Sequence, residues 1–366
     1  MIIFNALQAT LSGGIGRYCY ELSKELYKIN SDIKVVIREE DRSLFQFLKE
    51  EDMIIIKGIN SGAKRNFFEQ FKLPFMIHKM YPNATVHYPD SMAPLFSKNK
   101  VVITIHDIAF RALKDVFTWK TRVWKNLVTY FSIKKAARII AISEYTKEEI
   151  IKYYGDNLRK RIDVVYNGFN DFSSELIELE DVRQDIRSLE KDKYILTVST
   201  ISPRKNINCL IRAYLHSNML EEYKLVIAGG KGWLYEEVFN LVESLNLKDK
   251  IIFTDRINDE ELKFLYKNCD VFTYISFYEG FGLPPLEAMS YGKPCIVSNV
   301  SSIPEVVGDS ALKVTPYDYK VVADELIKLC KSKDQQKIYA DLGIKNIKRF
   351  SWESCAKESN DIYNKF

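Results

Sequence analysis

The chain has little of what would mark it for a membrane span, a disulfide scaffold or a metal centre. Its longest apolar runs, such as VVITI at 101–105, stop at the length of one strand, far short of the ~20 residues of a spanning helix. No basic leader with a cleavage site precedes the strand-like IIFNAL after Met1, so the expected location is the cytoplasm, at most peripheral on the inner face of the cytoplasmic membrane. Six cysteines, Cys19, Cys209, Cys269, Cys295, Cys330 and Cys355, stand singly, with no CxxC pair and only four histidines in all. That spacing excludes a zinc module and predicts reduced thiols. Only 15 glycines and 10 prolines occur in 366 residues, and no low-complexity tract, which excludes fibrous and disordered classes. A single small module is excluded by length.

What is present is 46% hydrophobic and 13% aromatic residues, enough for two large cores. The net charge of +4 conceals an asymmetry: up to residue 170 there are 27 Lys and Arg against 18 Asp and Glu, and beyond it 26 against 31, so the halves carry +9 and −5. A basic first half suits an anionic partner such as a membrane surface, a phosphorylated acceptor or nucleic acid; no RNA- or DNA-binding motif lies under the excess.

Short β-branched runs alternate with longer amphipathic stretches. In the first half they are IIFNA (2–6), IKVVIRE (33–39), MIIIK (53–57), TVHY (85–88), KVVITIH (100–106), RIIAIS (138–143) and IDVVYN (162–167). In the second they are YILTVST (194–200), KLVIAGG (224–230), KIIFTD (250–255), DVFTYIS (270–276) and PCIVSN (294–299). Near-continuous apolar strands of this kind belong to parallel sheets covered on both faces, so two doubly wound α/β domains are expected, with ligands beyond the carboxyl ends of the strands and a cleft between the domains. The polar stretch 170–193 reads as a linker flanking a helix, and helices are expected near 320–331, 334–349 and from Ser351, a candidate N-cap with Ser354 at its third helical position.

Four segments can carry chemistry. SGGIGRY, Ser12 to Tyr18, follows a strand and opens a helix; its backbone amides can approach an anion, though the spacing is not the GxGxxG of a dinucleotide site, and a plain tight turn is the alternative. His106 ends the strongest strand of the first half, where an imidazole can meet a sugar hydroxyl or act structurally. Arg204 and Lys205, in SPRKN between a strand and a helix, can neutralise a diphosphate or simply face solvent. In YEGFGLPPLEAMSYGKPCIVSN, Glu279 and Glu287 stand eight apart around a turn whose Phe281, Gly282 and Leu283 amides face a helix start. Both carboxylates suit vicinal hydroxyls.

EGFGLPPLE resembles the E-x7-E motif of the retaining, GT-B-fold enzymes of glycosyltransferase family four. The likeness runs nearly the whole chain, through GGIGRY, FFEQFKLP (67–74), HYP (87–89), TIHD (104–107), AISEYTKEEI (141–150), VVYNGF (164–169), SPRKN (202–206), VIAGG (226–230) and FSWE (350–353). The resemblance implies an acceptor-side domain of 1–170 plus about 351–366, because the last helix crosses back, and a nucleotide-sugar domain of 171–350. It implies Glu287 on ribose hydroxyls, the backbone around Arg256 and Ile257 near the base, Arg204, Lys205 and Gly14 (with Gly13 beside it) on the diphosphate, Glu279 and the amides of Phe281, Gly282 and Leu283 on the donor sugar, and His106 beside the reacting carbon. It further implies a front-face, retaining transfer.

No Asp-x-Asp pair occurs in the chain, and the two cations can do the electrostatic work, so no cofactor and no obligatory metal are expected. RNFFEQFKLPFMIHKMY (65–81) and TWKTRVWKNLVTYFSIKK (118–135) mix aromatic rings with Lys and Arg, as interfacial helices do, although helices packed on a sheet read the same way. With the basic first half they favour a lipid-diphosphate-linked glycan acceptor, as in O-antigen or capsule assembly, and contact with an anionic inner leaflet. The expected partners are therefore a nucleotide-sugar donor and a glycan acceptor, with no nucleic acid. Alternatives on the same fold are a nucleotide-sugar epimerase or a sugar phosphorylase. An NAD-dependent oxidoreductase is disfavoured by the missing glycine fingerprint, and an exported sugar-binding protein by the missing leader.

Overall fold

The computed structural model describes residues 1–11, 13–113, 116 and 118–365. The chain divides into two units, Met1–Gly168 with Phe350–Phe366, and Phe169–Arg349.

The first unit holds seven strands: β1 (Ile2–Asn5), β2 (Ile33–Arg38), β3 (Met53–Ile56), β4 (Thr85–Tyr88), β5 (Lys100–Ile105), β6 (Arg138–Ala141) and β7 (Ile162–Val164). They form one sheet in the order β3-β2-β1-β4-β5-β6-β7, every pair parallel. Side chains alternate across a strand, and here both faces are buried. Ile3, Val86, Val101 and Ile103 meet Leu73, Ile77, Ile133 and Ile150 from helices Leu73–Met80, Trp119–Lys135 and Glu144–Tyr154. On the other face Phe4, Val35, Val102 and Ile140 share a core with Tyr18 and Leu22 of helix Gly14–Ile29 and with Trp352 and Cys355 of the final helix, Trp352–Tyr363. The hydroxyl of Ser351 caps that last helix by accepting from the amide of Ser354 at 3.1 Å. Its turn therefore fixes where the chain re-enters the unit.

The second unit holds β8 (Tyr194–Val198), β9 (Lys224–Ala228), β10 (Ile251–Phe253), β11 (Val271–Tyr274), β12 (Cys295–Ser298) and β13 (Leu312–Val314), in the parallel order β10-β9-β8-β11-β12-β13. Strand β13 has no counterpart in the sequence reading, since LKV is three residues at the sheet edge with Lys313 exposed and carries no hydrophobic period. The stretch 170–193 contains a single helical turn, Gln184–Arg187, between two 3₁₀ turns.

Both sheets run outward in opposite directions from a central pair, β1 and β4 in one unit, β8 and β11 in the other. Connections leaving two such neighbours go to opposite sides, which opens a crevice at their carboxyl ends. Among the described residues no helix is long and apolar enough to cross a membrane.

Candidate active site

In the second unit the crevice at β8 and β11 is built from two loops that hold each other. After β8 the chain makes the 3₁₀ turn Pro203–Lys205, and Asn206 adopts φ 54° with its side-chain amide donating to the Pro316 carbonyl at 2.7 Å. After β11 the amide of Phe277 donates to the Arg204 carbonyl at 2.9 Å, which registers the second loop on the first. Arg204, Lys205 and Glu279, 74 positions apart in sequence at the nearest, are thereby brought into contact. Lys205 Nζ lies 2.7 Å from Glu279 Oε1 and 2.6 Å from the hydroxyl of Tyr274, while Arg204 Nη1 lies 3.3 Å from Glu279 Oε2.

Glu279 is only 6% exposed. Burial pushes its carboxyl up, but the charges of Lys205 and Arg204 outweigh that and hold it below the ordinary range. The site therefore carries two fixed cations and one fixed anion, a net positive charge that needs no rearrangement when an anion arrives. The sequence left Glu279 open to sugar hydroxyls; the fold gives it a second duty, as the counter-ion that aims both cations. Its amide donates to Ser301 Oγ at 3.0 Å, and the Ser302 hydroxyl sits 2.9 Å from the carbonyls of both Glu279 and Phe281.

The turn then tightens into helix Leu283–Ser290. Gly282 has φ 114°, and a Cβ there would stand 2.6 Å from Ile303 Cδ1, so only glycine fits. Helix starts leave their first amides without i−4 partners, and the 281–283 turn stands at such a start. Glu287, half-buried on this helix, accepts from the Tyr266 hydroxyl at 2.9 Å; Tyr266 in turn stacks on Tyr291. Tyr266 comes from helix Asp259–Asn268, whose N-cap Asn258 closes a capping box with Glu261. Ile257 immediately precedes that cap, past the end of β10, with Arg256 exposed beside it. The 203–206 turn after β8, Ile257 after β10 and the 277–283 loop after β11 lie at the carboxyl edge of this sheet, while Tyr266 and Tyr291 stand at the far ends of their helices.

In the first unit, Gly13 (φ 83°) precedes helix Gly14–Ile29, and a Cβ on Gly13 or Gly14 would meet nothing within 4 Å. Ser12, the first residue of the glycine segment, lies outside the described residues. His106 follows β5; its Nε2 is 3.0 Å from the Pro89 carbonyl, and Tyr18 packs edge-on at 4.7 Å between ring centroids. A carbonyl can only accept, so Nε2 carries the hydrogen and Nδ1 keeps its lone pair. Burial pulls the His106 pKa down, which keeps the ring neutral near pH 7. Beneath it runs a buried polar chain that sequence reading missed: Tyr18 OH to Thr104 Oγ1 (3.0 Å), Thr104 to His87 Nε2 (2.8 Å) and His87 Nδ1 to Tyr363 OH (2.6 Å). Tyr266, Tyr274 and Ser302 were missed as well. Tyr274 ends a strand and Tyr266 sits on an amphipathic helix, and in sequence both read as ordinary core residues.

A profile described as Glycosyltransferase Family 4 matches residues 12–171, and one described as Glycosyl transferases group 1 matches residues 179–348. The chain belongs to glycosyltransferase family four. O-antigen chain mannosyltransferase B of Escherichia coli is 29% identical over 371 residues, covering 96% of this chain and 95% of that one. O-antigen chain mannosyltransferase RfbU of Salmonella typhimurium is 34% identical over 218 residues, 60% of this chain and 57% of the relative. Among solved structures, sucrose-phosphate synthase from Thermosynechococcus elongatus superposes with a TM-score of 0.77 at 18% identity, covering 99% of this chain and 98% of that one, a likeness of fold alone. The two parallel-sheet units are thus those of a GT-B glycosyltransferase.

Proposed function

We propose that this glycosyltransferase moves a hexose, mannose being the first candidate, from a nucleoside-diphosphate sugar to a lipid-diphosphate-linked glycan, with retention at the anomeric carbon and without a divalent metal. The observation that carries the reading is the contact of Arg204 and Lys205 with Glu279 at the carboxyl edge of β8 and β11. Two O-antigen mannosyltransferases among the relatives support the choice of sugar and of surface polysaccharide as the product class.

In this reading Glu287 accepts from the ribose hydroxyls, the backbone at Ile257 borders the base, and Arg204, Lys205, Gly13 and Gly14 face the diphosphate. Glu279 and the amides of Phe281, Gly282 and Leu283 face the donor sugar. As the anomeric C–O bond breaks, its electron pair leaves with the diphosphate, and Arg204 and Lys205 take up the developing charge that a metal would otherwise neutralise. The acceptor hydroxyl adds on the same face, its proton passing to the departing phosphate oxygen. Neutral His106, with a lone pair on Nδ1, suits a hydrogen bond to a hydroxyl near the reacting carbon. The lipid-linked acceptor would be met at the cytoplasmic face of an anionic membrane.

A panel of nucleotide sugars with a short-chain lipid-diphosphate glycan, read by NMR of the product, tests this. Transfer with the donor's anomeric configuration, undiminished by a chelator, is expected; inversion, or loss on chelation restored by magnesium, overturns the mechanism.

A further inference from the structure

Helix Trp119–Lys135 is apolar on two sides. Val128, Ser132 and Ile133 are buried on the sheet, while the opposite stripe leaves Trp119 (68% exposed), Val123 and Trp124 (58% each), Leu127, Tyr130 and Phe131 in solvent. An ordinary surface helix is polar on its outer side, so this stripe lacks a cover. On the same sheet face, the stretch 62–80 exposes Phe67, Phe71, Phe75 and Met80. The two stretches flank one residue: Gln70 Nε2 donates to the Ala93 carbonyl, and the Ala93 amide donates to Ser132 Oγ at 2.9 Å. Just beyond Ala93, Leu95 and Phe96 are also exposed, so the apolar side chains continue from one stretch to the other.

The charge among these side chains has one sign. Lys64, Lys72, Lys79, Lys98, Lys120 and Lys134 are exposed, and residues 91–100 and 118–135 contain no Asp or Glu. The one carboxylate in 62–80, Glu69, is buried and accepts from Asn5 Nδ2 at 2.7 Å. Beside Phe67 and Phe68 opens a recess of about 470 Å³ walled by Lys57, Lys64 and Lys72. Lys57 of the recess is paired with the exposed Glu39 at 2.9 Å; the other exposed lysines stand among aromatic rings, which matches the boundary between acyl chains and anionic headgroups. A second copy docking on the same face would set lysine against lysine.

We propose that this face of the first unit docks on an anionic bilayer, with Trp119, Trp124, Phe67 and Phe71 entering the acyl boundary and the lysines, including Lys64 and Lys72 of the recess, meeting lipid phosphate. It deepens the lipid-linked-acceptor reading and rests on that reading only for which membrane is met. Helix Trp119–Lys135 follows β5, so its Trp119 end starts toward the sheet edge where His106 lies, which sets the membrane next to the side of the unit where an acceptor headgroup would be presented.

Two of the chain's four tryptophans stand on this face, so the intact protein reports its own docking. Adding phosphatidylglycerol-containing vesicles at low salt should blue-shift the emission and allow quenching by brominated acyl chains. Phosphatidylcholine vesicles, or 1 M salt, should do neither. Trp119→Phe with Trp124→Phe should remove the shift. Lys120→Gln with Lys134→Gln should lower partitioning about 25-fold, at about five-fold per cation. Stabilisation by nucleoside diphosphates should persist in both variants. Absent binding to anionic vesicles at low salt, binding that ignores both pairs of substitutions, or a lipid-independent dimer broken by Trp124→Glu, overturns the proposal. Loss of nucleotide stabilisation in the wild-type protein would instead overturn the transferase reading while leaving the vesicle result intact.

Discussion

Replacing Lys205 by alanine strips Glu279 of its 2.7 Å partner and leaves it with Arg204 at 3.3 Å. A buried ion pair that loses one member typically costs 3–5 kcal/mol, because the remaining charge stays desolvated. Arg204 compensates in part, so about 3 kcal/mol is expected, or roughly 6–12 °C in the melting of a unit of this size. The loss should depend on pH. In the wild type the Glu279 pKa is depressed, so its contribution to stability is present above the unfolded carboxylate range and is lost as pH falls through the folded value. In the variant burial dominates and the folded pKa moves up, so the carboxyl destabilises the fold as pH rises through it. The gap between wild type and Lys205→Ala, followed by thermal or denaturant unfolding, should therefore be small near pH 4 and widen toward pH 7.5. In turnover the same change should cost about 10²–10³ in kcat, the magnitude for removing one donor from a developing oxyanion, with a smaller effect on donor KM. A gap independent of pH would refute the ion-pair assignment, and turnover within a few-fold of wild type would refute the role on the leaving group.

Glu287→Gln should weaken nucleoside-diphosphate binding by roughly 10- to 150-fold by calorimetry, since a hydrogen bond to a charged acceptor contributes about 1.5–3 kcal/mol, and should leave chelator sensitivity unchanged. Gly282→Ala should destabilise the fold by about 1–3 kcal/mol, from a backbone angle of φ 114° and the approach to Ile303, measurable by urea unfolding. The first unit should also show two opposed pH limbs. Burial, with His106 nearby, pulls the His87 pKa from 6.5 down to about 3, so stability is full above pH 6.5 and declines toward pH 3, by at most about 5 kcal/mol. Burial raises the Glu69 carboxyl from 4.5 to about 7 against the lowering pull of Asn5 and Arg65, so its contribution is full below pH 4.5 and is lost through pH 7, by about 3 kcal/mol. Glu69→Gln should accordingly gain on the wild type between pH 4.5 and 7.5, and His87→Gln between pH 6.5 and 3; unfolding free energies that move together with pH would contradict both.

Strand periodicity made most of both sheets legible, because a strand buried on two faces must be written in consecutive apolar residues, as in VVITI. The edge strand Leu312–Val314 was not, since one exposed lysine among three residues leaves no period to read. Arg204, Lys205, Glu279 and Glu287 stood out because cations and carboxylates at the ends of apolar runs have no part in a core. What the sequence withheld was their pairing. Nothing in a linear pattern links Lys205 to Glu279; the Phe277 to Arg204 backbone bond, with Arg204 Nη1 on the Tyr278 carbonyl at 3.3 Å, sets the two loops in register. The chain from Tyr18 through Thr104 and His87 to Tyr363 was hidden for the same reason: it joins helix, strands and the chain's last turns, and three of its members look like core filler. FFEQF likewise displayed Glu69 as part of a motif without disclosing that it is buried.

The preference for two phosphates over one tests the central claim most directly. Calorimetric titration with a nucleoside diphosphate and the matching monophosphate, in wild type and in Arg204→Ala with Lys205→Ala, should give a diphosphate preference of at least about ten-fold that disappears in the variant. Equal affinity for the two nucleotides in the wild type, or a preference that survives removal of both cations, would contradict the account.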